Sequence, residues 1–71
     1  MDYTVNLMWD SEAAVWIATS DEIIGLALES GSVDALIERV RFAVPELLDL
    51  NHQVPATALR FQLERYERIP A

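Results

Sequence analysis

Apolar and polar residues alternate over Tyr3-Thr4-Val5-Asn6-Leu7-Met8-Trp9, with Tyr3, Val5, Leu7 and Trp9 on one side. This period of two predicts a half-buried strand. Asp10-Ser11-Glu12 forms a polar turn, and residues 14–19 resume as a β-branched and aromatic strand, so the two segments read as a hairpin. Ser20-Asp21-Glu22 breaks the pattern again. Ile23-Ile24-Gly25 then leads into Leu26-Ala27-Leu28-Glu29, a third strand and the weakest, because Ala and Leu carry little strand preference. Gly25 at its entry predicts a bulge or a positive φ.

From Ser32 the period changes to that of a helix. Val33, Leu36, Ile37, Val40, Val44 and Leu47 form a stripe at helical spacing, with Asp34, Glu38, Arg41 and Asp49 on the remaining surface. Ser32 is the expected N-cap and Asp34 complements the dipole of the first turn. Glu38 and Arg41 have i,i+3 spacing. Pro45 conflicts with a regular helix, since it removes an amide and clashes with the carbonyl four residues back. Either the helix kinks there, or it ends near Ala43 and a fresh turn starts with Pro45. Asn51 is the expected left-handed closing residue. Leu59-Arg60-Phe61-Gln62-Leu63-Glu64 is the cleanest alternation in the chain, with residues 66–69 as an extension before Pro70.

The order β-β-β-α-β predicts an α+β domain over residues 1–71, one helix packed on one face of a four-stranded sheet. The helical stripe with Val5, Leu7, Ile17, Leu26, Leu28, Phe61 and Leu63 is the expected core. The opposite face then carries Met8, Trp16, Ala18 and Ala27, an apolar surface for another chain to cover.

At 71 residues, a domain buries only about 60% of the surface its unfolded chain exposes. No cysteine is present to staple it, and the single His52 does not build a metal site without carboxylates. Self-association, most simply a dimer, is the remaining route to further burial. No signal-like start and no apolar run of the ~20 residues needed to span a bilayer is present, so a soluble, cytoplasmic protein is expected. Five arginines and no lysine stand against twelve acids, a net charge of −7. That balance disfavours direct nucleic-acid binding. It suits a basic protein partner, or it serves solubility alone.

The stretch Trp9-Asp10-Ser11-Glu12-Ala13-Ala14-Val15-Trp16-Ile17-Ala18-Thr19-Ser20-Asp21-Glu22-Ile23-Ile24-Gly25-Leu26 resembles the hallmark of a small bacterial family of unassigned function grouped with HicB-like antitoxins. Pro45-Glu46-Leu47-Leu48-Asp49-Leu50-Asn51 is similar to its second hallmark. The resemblance implies a truncated ribonuclease H-like sheet, mixed because the last strand lies beside and parallel to the first. It also implies oligomers and the masking of a small basic RNA-cleaving toxin. HicB antitoxins also carry a DNA-binding helix-turn-helix or ribbon-helix-helix module; residues 52–71 show none, so operator binding is not expected.

The candidate chemistry is sparse. Asp10 with Glu12, and Asp21 with Glu22, are acidic pairs, yet each falls in a turn, where acids serve local hydrogen bonds. A metal-dependent nuclease needs several carboxylates converging on one cavity, which this spacing does not supply. His52 reads as a solvated loop residue or a pH-sensitive contact. No Ser or Thr has a base partner and no glycine-rich phosphate loop is present, so no catalytic residue and no cofactor is expected. Trp16 reads either as a core tryptophan or as an interface anchor. With Met8 and Ala18 it forms the expected interface. The leading expectation is a non-catalytic protein-binding domain; the alternatives are a homo-oligomeric structural or regulatory protein and a metal-dependent nuclease.

Overall fold

The computed structural model describes residues 1–70. The elements run β1 (Asp2–Asp10), β2 (Val15–Thr19), β3 (Ala27–Ser30), α1 (Val33–Leu50) and β4 (Ala58–Glu64). They form a four-stranded mixed sheet in the order β3-β2-β1-β4. β1 pairs antiparallel with β2 and parallel with β4, and β2 pairs antiparallel with β3. α1 lies mainly over β3 and β2 on one face, so this is the expected α+β arrangement of one helix on one sheet.

Tyr3, Val5 and Leu7 of β1, Ala18 of β2, Ile23 and Leu26 before β3, and Leu36, Val40, Val44 and Leu48 of α1 form the buried core. The helical residues recur every four positions. At 3.6 residues per turn each step drifts by about 40°, so the stripe winds around the helix instead of running straight. That drift is why Leu48 is buried and Leu47 only partly so. The Ser32 hydroxyl accepts from the Ala35 amide at 3.3 Å as the N-cap. Pro45 sits inside one uninterrupted helix, so no second helix starts there. Pro45 and Arg41, whose carbonyl has lost its usual donor, are both exposed residues of the helix.

The helix closes one residue later than expected. Asn51 has φ −98°, and the left-handed residue is His52 at φ +54°. The His52 amide donates to the Asp49 carbonyl at 3.2 Å and the Gln53 amide to Leu48 at 2.8 Å, the paired bonds of a Schellman motif. Gly25 does adopt a positive φ, +83°. Residues 66–69 do not extend β4.

One register decides which side chains face the helix. Leu7 lies opposite Ala18 and Trp9 opposite Trp16, because a four-residue turn, 11–14, joins Asp10 to its partner Val15. Directly opposed residues share a face, so odd positions of β1 share a face with even positions of β2. Ala18 is therefore in the core with 0% exposure, and Trp16 packs against that core from the helix side. Both expectations of an outward-facing Ala18 and Trp16 are corrected by this turn. Ile17 moves the other way and joins Met8 on the open face, out of the expected core. That face carries Thr4, Asn6, Thr19, Glu29, Arg60, Gln62 and Glu64 besides, and is polar over most of its area. Among the described residues no helix is long and apolar enough to cross a membrane.

Candidate protein-binding groove

Of the three residues expected to form an interface, Met8 alone stays at the surface of the open face, half exposed. Trp16 instead stacks with Trp9, ring centroids 5.5 Å apart at 58°. The Arg65 guanidinium lies 4.3 Å from the Trp9 ring centre and 5.9 Å from that of Trp16. This cation–π contact fastens the chain just after β4 to the end of the sheet.

The acidic pairs are occupied with backbone. Asp10 Oδ1 accepts from the amides of Glu12 (3.0 Å) and Ala13 (3.3 Å), which shapes the four-residue turn. Glu22 Oε1 accepts from the Thr4 amide at 2.7 Å. Ser20 Oγ donates to the Thr4 carbonyl at 2.6 Å and accepts from the amides of Glu22 and Ile23. Among the described residues no three His, Asp or Glu side chains are grouped to hold a metal. Arg41 makes the expected i,i+3 pair with Glu38 at 2.7 Å, fully at the surface.

Unburied apolar surface collects elsewhere, where α1 overhangs the β3 edge. Phe42 is 77% exposed and Leu50 73% exposed, eight residues apart on α1, with Glu46 midway between them. Behind them Gly25, Leu26, Leu28, Ala43 and Leu47 line a groove of about 270 Å³ that Glu46 and Leu50 border. Ile24, also exposed, stands at the end of β3 that the groove opens on. Glu46 borders the groove on the helix, and Asp21 and Glu22 precede Ile24 in the chain. Arg39 Nη1 is spent on the Glu29 carbonyl at 2.8 Å.

Two side chains hold this groove in shape: Gln53, which sequence reading passed over, and Asn51, which it expected only to close the helix. Gln53 donates through Nε2 to the Glu22 carbonyl (2.8 Å) and accepts at Oε1 from the Ile24 amide (3.0 Å). Asn51 Nδ2 donates to Leu47 and Ile24 carbonyls. Together they clamp the loop before β3 to the helix end. Nothing local in the sequence marks Gln53, since its partners lie some thirty residues back. Phe42 did carry a signal: it is an aromatic residue off the apolar stripe of a helix whose core face is already filled.

Exposed aromatic and aliphatic side chains beside an apolar groove are a feature shared with protein-binding surfaces, where aromatic residues are enriched. The comparisons with known proteins agree on family and fold. The family model described as "Domain of unknown function (DUF1902)" matches residues 2–70. The crystal structure of hypothetical protein TTHA1013 from the extremely thermophilic bacterium Thermus thermophilus is 32% identical, superposes with a TM-score of 0.78 and is covered 100% in both directions. No curated protein matches.

Proposed function

The chain belongs to the family of the domain of unknown function DUF1902, and on that premise we propose that it is a non-catalytic protein-binding domain of the HicB antitoxin kind, masking a small basic RNA-cleaving toxin. The observation that carries this reading is the apolar groove between β3 and α1, bordered by Glu46 and the exposed Leu50, with the exposed Phe42 one turn along the helix beside Ala43 and Glu46. An exposed aromatic and an exposed leucine on a chain of net charge −7 offer a basic partner both an anchor and a steering field. The hallmark segments that resemble the antitoxin group supply the nature of that partner.

The test is inspection of the neighbouring genes for a short basic protein, followed by co-expression with that product; a neighbourhood encoding none counts against the reading. Wild-type protein relieves growth arrest and co-purifies with that product, whereas Phe42→Asp and Leu50→Asp weaken binding at least tenfold and leave the helical signal unchanged. Neutralisation untouched by both substitutions sinks the reading. A second reading, a homo-oligomeric regulatory or structural protein without a toxin, is favoured by the free edge of β4.

A further inference from the structure

We propose that β4 pairs antiparallel with β4 of a second copy of this chain, about a twofold axis through Gln62, so that two sheets join into one of eight strands. The inference concerns the opposite edge of the sheet from the groove and does not rest on the antitoxin reading.

The two edges of the sheet are built differently. β3 has only four residues, and the Arg39 side chain takes up its Glu29 carbonyl. Such short, covered edges are how proteins prevent pairing with other chains. β4 has seven residues, contains no proline, lysine or glycine, and pairs with β1 on one side only. Among the described residues no side chain hydrogen-bonds its backbone. Its outward amides and carbonyls therefore form a row ready for another strand.

The side chains of β4 are self-complementary about one residue. With Gln62 opposite Gln62 of the second copy, Arg60 lies opposite Glu64 and Glu64 opposite Arg60, both on the open face. On the helix side Phe61 meets Leu63, and Leu63 is 53% exposed in the single chain. Ala58 then meets Tyr66, which is 79% exposed. Moving the axis to Phe61 sets Arg60 against Gln62 and Glu64 against Ala58. Moving it to Leu63 sets Arg60 against Tyr66 and Glu64 against Gln62. Only the Gln62 axis makes both ion pairs. A twofold axis normal to the sheet needs an opposed residue of the same number, so the intermediate registers do not arise.

Long-range charge favours the same edge. Residues 58–70 hold Arg60, Arg65 and Arg68 against Glu64 and Glu67, which is 3 − 2 = +1, while the rest of the chain carries −7 − 1 = −8. Two acidic molecules repel least where each presents its one cationic stretch.

The experiment uses full-length protein in sedimentation equilibrium. Wild type behaves as a dimer of about twice 8.0 kDa. Arg60→Glu alone, or Glu64→Arg alone, sets like charges together twice across the axis and raises the dissociation constant at least tenfold. Mixing the two variants in equal amounts restores dimers, because each then supplies the charge that the other lacks. Both positions are exposed, so the variants keep the fold, checked by circular dichroism. Gln62→Cys, in a chain with no other cysteine, forms a disulfide-linked dimer on mild oxidation. A monomer at millimolar concentration, or a dimer indifferent to both charge changes, overturns the proposal.

Discussion

His52 shows how a residue whose side chain makes no hydrogen bond among the described residues still has a structural task. It occupies the left-handed position that ends α1, where a residue with a Cβ is strained by about 1–2 kcal/mol and glycine is not. Histidine is among the residues that tolerate this region. Glycine costs some unfolded-state entropy in exchange, so His52→Gly is expected to stabilise the protein by about 0.5–1 kcal/mol, read as a higher urea midpoint with unchanged slope. Sequence reading assigned the closing position to Asn51, one residue early, because asparagine is the commoner choice after glycine. The structure uses Asn51 differently, through its side-chain amide. Residue-scale errors at Trp16 and Ala18 share another origin. Their facing depends on whether the preceding turn has three or four residues, and the polar run after Trp9 does not mark which. One residue in a turn inverts a whole strand.

Elements were more legible than facings. The alternation of β1 and β4, the Ser32 cap and the apolar periodicity of α1 are local signals, and each element lies where they predict within a residue or two. The parallel pairing of β4 with β1 was not local at all and came through resemblance. The groove beneath Phe42 was illegible for the same reason: it needs β3, α1 and the loop clamped by Gln53 to be in place together. Pro45 tests how far α1 depends on its neighbours. A proline in an isolated helix costs about 3 kcal/mol against alanine, yet α1 continues through it for five residues. Burial of Leu48 beyond it, with Val44 just before, outweighs the lost bond. Pro45→Ala is expected to raise stability by about 1–2 kcal/mol, less than the full helix penalty because proline also restricts the unfolded chain. Thermal and urea unfolding measure it. A destabilised Pro45→Ala would mean that the ring's packing along the β4 side of α1 matters more than the amide it removes.

At the scale of the whole molecule, shape and stability lead to the same prediction. The radius of gyration is 13.3 Å and the extents are 49 × 17 × 17 Å, against about 11 Å for a compact chain of this length. An elongated domain has more surface for its core, and here ten hydrophobic residues carry that core. Pairing through β4 adds strand hydrogen bonds and covers part of Phe61, Leu63 and Tyr66. Folding is then coupled to association, and the unfolding midpoint becomes concentration-dependent. For a dimer that unfolds to two separate chains, each tenfold increase in concentration contributes about 1.4 kcal/mol per dimer, or about 0.7 kcal/mol per chain. For a domain of this size that corresponds to about 3–5 °C. Wild-type protein scanned at ten and at one hundred micromolar is expected to differ by that amount. Arg60→Glu is expected to give the same midpoint at both concentrations, at or below the lower wild-type value. Equal shifts in the two proteins would place any coupling between folding and association on a surface other than β4.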